Sequence, residues 1–448
     1  MSSAEAFLQE VEKVAKILKG VLKEKRARIF AHFDCDGITS AAIVCKTFLR
    51  ENFSFTLSFL KRLTREKIKE FELAEDEVLL LLDMGSGHLA ELEDFCSKTQ
   101  VFVFDHHHFF SKFSHPNFFF LNPLVFFQEK SSLSTSIVCY FLSKFFNPSN
   151  SLLVDLALVG ALGDELEESW SFEGLPAKLV QEAAELGRVS ITQGIRIYGR
   201  SKPLHQALAH TFNPYIPGVT GSESNAAQFL SEIGLQLKEG NEWKKLKYLS
   251  LEEQKKLCSA IIMERLKDRD KRAEDIFGNV YTLPHNPEDF QDAREFATLL
   301  NACGKLGKPW LGLKACLQDF SASQELLEVF EEYRKALSQC LEAANEANFL
   351  RKKFLYFLAR DKIPDTLVGT VTSILLSMGV ARTIFSFAES EEGLKVSARS
   401  CDELNLGELL SKASRLVGGE GGGHAQAAGA SIPKGTETKF IEIVESLA

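Results

Sequence analysis

Asp34 and Asp36 stand two residues apart where an apolar run ends, with His32 just before them and Gly37 just after. On extended backbone two carboxylates at this spacing face the same way, and Gly37 lets the chain turn sharply into a helix. Such a corner suits a divalent cation. The pattern recurs: 78–82 runs into Asp83, 101–104 runs into Asp105, His106 and His107, and 156–162 is followed by Gly163 and Asp164. Carboxylates and imidazoles without thiolates suit Mn2+ or Mg2+ better than structural zinc. Asp105 reads either as a ligand or as a group orienting an imidazole, and His32 as a ligand or a hydrogen-bond partner. Neighbouring side chains cannot all face one ion. His106 and His107 are therefore taken as ligands and His108 as packing or substrate contact, while Cys35 reads as packed.

A second group lies near the C-terminal end, where 418–423 carries five glycines before His424. So many glycines pack no core, and their use is close backbone approach to an anion through a nest of amides. Ser397 and Arg399 would add a hydroxyl and a guanidinium suited to phosphate.

Positioning these residues requires strand ends gathered on one edge. The runs 28–33, 54–59, 78–82 and 101–104 read as strands, and 38–50, 64–73 and 88–98 as helices between them. The expected class is α/β: a parallel sheet with helices on both faces, whose strand ends open onto the ligand edge. The run 156–162 reads as helix or strand. A mainly helical middle region is expected over 196–345, entered through the Pro- and Gly-rich stretch 213–221. A smaller mixed α/β domain follows over 346–448, with strands at 354–360, 381–388, 395–399 and 428–432 and a helix at 404–417. The first domain then covers 1–195.

Composition sets the outer bounds. With 448 residues, 45% apolar and 25% charged, the chain suits two or three globular domains. The 36 phenylalanines cluster at 109–110, 118–120 and 126–127 and read as core-filling. Nine scattered cysteines argue against a disulfide framework. No signal-peptide pattern or membrane-length apolar run is present, so the expected location is cytoplasmic. A net charge of −9 argues against a uniformly basic nucleic-acid binder, although the acids gathered for metal would be neutralised by it. Basic runs at 61–69, 265–272 and 351–353 read as solvated faces or phosphate contacts.

These motifs resemble those of the DHH phosphoesterases: His32 to Gly37, the strand-end Asp83, Asp105-His106-His107, and Gly163-Asp164. Ser397 to Arg399 and Gly421 to Gly429 resemble the DHHA1 domain of RecJ-like nucleases. In the middle region Gly199-Arg200 with 202–204, 217–221 and especially 294–307 resemble the archaeal RecJ-like proteins, which include a nuclease associated with the GINS complex at the replication fork. The resemblance implies a two-metal (Mn2+ or Mg2+) exonuclease on single-stranded DNA or RNA. Its ligands would be Asp34, Asp36, Asp83, His106, His107 and Asp164, with His32 and Asp105 as further candidates. Asp36, Asp83 and His107 would be catalytic, with Asp83 and Asp36 as candidates to bridge two ions. Ser397, Arg399, Gly421, Gly422, Gly423 and His424 would hold substrate. Two other readings stay open: a phosphodiesterase of oligoribonucleotides or cyclic dinucleotides, and a non-catalytic replication scaffold.

Overall fold

The computed structural model describes the whole chain except residues 1, 110–112, 128–132, 168–170, 201, 213, 268–275, 348 and 392. Phe110, Asn213 and the end of the basic run beyond 267 therefore lie outside the described residues. The chain divides into two compact units, one formed by 1–194 with 278–330 and the other by 195–277 with 331–448. The middle stretch expected as one block over 196–345 is thus shared between the two.

The first unit is built on a five-stranded sheet of β1 (Arg26–His32), β2 (Phe55–Leu60), β3 (Glu77–Leu82), β4 (Val101–Phe104) and β5 (Phe118–Leu121). The order is β2-β1-β3-β4-β5 and every pairing is parallel. β3 and β4 are buried at every position, as expected for strands covered on both faces. On one face pack α1 (Ser3–Val21), α2 (Cys35–Arg50) and the helix Thr135–Phe146, with Val154–Gly163 and Ala293–Lys305 packed in turn against α2. On the other, Leu79, Leu81, Val101 and Val103 meet Leu63, Ile68 and Leu92 from short connections. There the expected helices 64–73 and 88–98 shrink to Arg65–Lys69, capped by Thr64, and Glu93–Cys96, which has no side-chain cap. The phenylalanines at 118–120 are the fifth strand itself, with Phe119 stacked on Phe102 at 4.7 Å between ring centroids.

The run 156–162 lies in the helix Val154–Gly163, buried on all sides over 154–162. It is too apolar all round for a period to mark it as helix.

The second unit holds two cores. One gathers Leu204, Leu208, Ile216, Leu230, Leu257 and Ile261 from mainly helical segments over 195–276. The other lies on a six-stranded mixed sheet whose spatial order is Phe349–Arg351, Leu355–Arg360, Thr383–Ser390, Gly393–Ser400, Ala427–Ile432 and Glu420–Gly423. Much of the glycine run, expected as an anion nest, is therefore the edge strand Glu420–Gly423. Its glycines have a packing reason, because the helix Leu406–Leu416 presses on it. A Cβ on Gly421 would lie 2.8 Å from the Ala430 Cβ, 2.9 Å from Ser414 Oγ and 3.0 Å from Leu410 O.

Gly421→Ala is accordingly expected to destabilise the second unit by about 1–3 kcal/mol, the usual scale of overpacking. Thermal unfolding measures it, and an unchanged transition would show that the strand is not closely covered.

Candidate metal centre

Register aligns the strand ends. Ala31 pairs with Leu82, and Leu82 with Phe104, so His32, Asp83 and Asp105 leave the sheet side by side. The Asp83 amide still donates to Phe104 O and the Asp105 amide to Leu121 O, which pins both at the last rung. Asp83 then takes a left-handed backbone, φ 60°, in which few residues other than glycine sit comfortably. Gly85 follows with φ 116° against the Val103 side chain.

The Asp34–Asp36 corner differs from the extended pair expected. Asp34 is the N-cap of α2, accepting from the Gly37 amide at 3.1 Å, and Asp36 already lies in the first helical turn. Helical geometry sends the two carboxylates apart, and they join different groups. Asp34 sits with His32 and Asp83, while Asp36 sits with His106 and Asp164; a third trio is Asp83, Asp105 and His107. Within each, donor atoms lie within 4.8 Å of one another. His108 belongs to none of these groups. Cys35 is fully buried with Sγ at 3.4 Å from Val159 O, packed as expected.

Asp83 connects the set. It belongs to two trios, and its Oδ1 lies 3.4 Å from His106 Nε2 in the other. His32 Nδ1 is 2.8 Å from Asp34 and 3.3 Å from Asp83, and His106 Nε2 is 3.4 Å from Asp164 Oδ2. That buried Asp164 oxygen accepts no hydrogen bond among the described residues. Asp105 is occupied differently. Its Oδ1 accepts from the His106 and His107 amides and lies 2.7 Å from His107 Nδ1, while Oδ2 accepts from the Ser86 amide at 2.8 Å.

Burial governs the electrostatics. It raises the Asp36 carboxyl to about 6, helped by the charge of Asp83 and opposed by His106 and by Ser136. Asp164 is pushed well up by burial and by Asp36, Asp34 and Asp83. Burial would also raise Asp83, but hydrogen bonds from His106 and His32 hold it well below the ordinary carboxylate range. Burial would lower His106, yet the hydrogen bond and charge of Asp83 carry it to about 9. Asp105, despite burial, is held at about 2 by His107. Crowded acids with one unpartnered oxygen, oxygen and nitrogen donors and no thiolate among the trios form a set that fits Mn2+ or Mg2+.

Several supporting residues were not foreseen in the sequence. The Thr135 and Ser136 amides, at the start of the helix Thr135–Phe146, donate to the two oxygens of Asp36 at 2.7 and 3.0 Å. Thr135 Oγ1 donates to Asp83 at 3.1 Å. The Ser134-Thr135-Ser136 run before Ile137 is a helix-start signal, but nothing in it names the acceptor. Asn122 holds the His loop by donating to His107 O and Ser86 Oγ.

In the second unit, Ser397 and Arg399 share one strand face above Gly369: a Cβ there would lie 3.3 Å from Arg399 Nη2 and 3.4 Å from Ser397 Oγ. Arg399 Nε donates to Ser373 Oγ at 2.9 Å. Ser397, Gly429 and Gly422 form one cross-strand row, and the His424 amide donates to Ala427 O in the turn that follows Gly423.

Family models match the DHH family N-terminal domain over 26–163, the DHH-CID domain over 197–276 and the DHHA1 domain over 351–448. An uncharacterised protein of Methanocaldococcus jannaschii is 30% identical, with 98% of each chain covered. The chain belongs to the DHH/DHHA1 family of RecJ-like proteins, within the phosphoesterase superfamily. Among solved structures, RecJ of Thermus thermophilus in complex with Mn2+ has a TM-score of 0.61 at 19% identity. The match covers 98% of this chain but only 54% of that RecJ. CDC45 of Entamoeba histolytica has a TM-score of 0.67 at 12% identity over 98% of both chains.

One glycine seals the acidic centre from below. A Cβ on Gly160 would lie 2.2 Å from Ser136 Oγ, 2.5 Å from Thr39 Oγ1 and 2.7 Å from Asp36 Oδ1. Gly160→Ala should therefore cost about 1–3 kcal/mol through overpacking. It should also shrink the rise in melting temperature that Mn2+ produces. Scans with and without Mn2+ measure both, and unchanged values would show that the neighbouring helices give way.

Proposed function

We propose that this chain is a two-metal exonuclease acting on single-stranded DNA or RNA, with His32, Asp34, Asp36, Asp83, His106, His107 and Asp164 as the residues that hold Mn2+ or Mg2+. The observation that carries the reading is the position of Asp83, whose carboxylate shares a donor trio with His32 and Asp34 and lies 3.4 Å from His106 of the Asp36–His106–Asp164 trio, as a ligand shared by two ions would. Bound ions of this kind activate a water as nucleophile and neutralise charge on a phosphodiester.

The residues of the chain do the rest. Thr135 and Ser136 fix Asp36, and Thr135 also fixes Asp83, so both carboxylates are set before any ligand arrives. Asp105, whose oxygens are taken by backbone amides and by His107, is proposed as the orienter of that imidazole and not as a ligand. With Nδ1 committed to Asp105, chemistry at His107 goes through Nε2. Its side chain is 40% exposed against 7% for His106, which makes His107 the imidazole that meets substrate. Ser397, Arg399, Gly421, Gly422, Gly423 and His424 are proposed to bind neighbouring phosphates, with the Arg399 guanidinium braced by Ser373 Oγ at Nε and by Ala398 O at Nη1.

A likeness in fold to CDC45 keeps a second reading, a non-catalytic replication scaffold, while GINS is proposed as a partner of the nuclease. The complete set of donors favours the enzyme. Incubating 5′- and 3′-labelled single-stranded DNA and RNA and a dinucleotide with Mn2+ separates the readings. A ladder from one end, lost with chelator and reduced more than ~10²-fold by Asp83→Ala, is expected. Hydrolysis of the dinucleotide alone would favour the small-substrate phosphodiesterase, and hydrolysis of nothing the non-catalytic scaffold.

Protons and cations compete at this centre. In the metal-free protein His106, at about 9, keeps its proton through neutral pH, and Asp36, at about 6, takes one up as pH falls to 6; each must be free of its proton to bind an ion. Mn2+ affinity should therefore rise as pH rises from 6 to 9. Calorimetry at neutral pH in buffers of different ionisation enthalpy should show net proton release, and no buffer dependence would contradict the assignment.

A further inference from the structure

Resting on the reading of the acidic trios as a metal centre, we propose that Asn301 is a positioning residue for it, tying the backbone between Asp34 and Asp36 to the backbone that delivers Asp164. Asn301 lies on the helix Ala293–Lys305, which belongs to the stretch 278–330 of the first unit. Its Oδ1 accepts from the Cys35 amide at 2.9 Å, and its Nδ2 faces Gly163 O at 3.4 Å. Both partners are backbone groups, one only a donor and the other only an acceptor, so the orientation of the amide is fixed and no other uncharged side chain of its size supplies both.

The two anchor points matter. Cys35 stands between Asp34 and Asp36, and Gly163 directly precedes Asp164. Asp36 and Asp164 belong to one trio with His106. The side chain therefore bridges the backbone immediately before two members of a single donor group, Asp36 and Asp164. One turn along the same helix face, Gly304 provides an independent sign of close fit: a Cβ there would lie 1.9 Å from Phe33 O. The helix is pressed onto residues 33–35, with Asn301 as its polar clasp. Without the clasp, the two backbone segments are free to separate in the metal-free protein, and an incoming ion must draw their side chains together again. Metal affinity then falls, as it does on loss of groups that orient ligands.

The test is Mn2+ binding to the full chain, followed by the loss of the free-ion electron paramagnetic resonance signal, alongside metal-free thermal unfolding. Asn301→Leu keeps the branching at Cγ and the number of side-chain heavy atoms and removes both hydrogen bonds. It is expected to weaken Mn2+ binding by about 10–100-fold. Gly304→Ala, which lifts the helix while keeping Asn301, should weaken it in the same direction. Thr298→Ala, whose hydroxyl bonds the Arg294 carbonyl of its own helix, should leave it unchanged. If Asn301→Leu does not fold, Asn301→Ser and Gly304→Ala carry the comparison. A lower melting temperature with wild-type Mn2+ affinity in these variants would overturn the positioning role while leaving the metal centre intact. Failure of the wild-type chain to bind Mn2+ at all would remove the metal reading, and this inference with it.

Discussion

Four carboxylates, Asp34, Asp36, Asp83 and Asp164, share a pocket with three imidazoles, and this crowding is the constraint around which the first unit is arranged. Carboxylates removed from water repel one another far more strongly than on a surface, and each must find a proton, a cation or a donor. The protein answers unevenly. Asp83 lies beside His32 and His106 and stays charged, Asp36 receives two amides, and Asp164 has one oxygen, 3.4 Å from His106, that accepts no hydrogen bond among the described residues. The unevenness suits the proposed cation site better than a buried ionic network kept for stability alone. A network built for stability would satisfy every member.

Backbone amides supply much of the counter-charge. Asp36 lies in the first turn of α2 and accepts from the first turn of the helix Thr135–Phe146, so the positive ends of two helices converge on one carboxylate. Such donors do not titrate and do not leave. The close approach this needs explains Gly160, which admits Ser136, Thr39 and Asp36 to a space where a methyl group would collide.

Much of this was legible in the sequence because parallel strands end on one edge. The apolar runs before Asp83 and Asp105 mark strands β3 and β4, and their termination by acids is a local signal. The corner at Asp34 and Asp36 was legible in composition but not in geometry, since an N-cap aspartate and a strand-end aspartate look alike until the helix start is known. Asp105 resembles a ligand by type, and the three amides it accepts from are visible only in the fold. The triple phenylalanine 118–120 hid a strand because three large apolar residues in a row carry no period. The roles of Thr135 and Ser136 depend on a helix that reaches Asp36 from a hundred residues away, and no local pattern encodes that.

The division of the chain follows from the same long-range logic. The first unit is interrupted by 195–277 and resumes with the segment carrying the helix Ala293–Lys305. The entropy of closing a loop grows only with the logarithm of its length, so an insertion costs little if its ends are brought together. They are: the Arg196 amide donates to Ile276 O at 2.8 Å, and the segment between has its own apolar core. The DHH family N-terminal match ends at Gly163, yet the helix that packs against α2 and the Val154–Gly163 helix is made only after the insertion. The scaffold of the centre is therefore defined by contact in space, and the stretch that completes it lies more than a hundred residues beyond the segment that supplies the ligands.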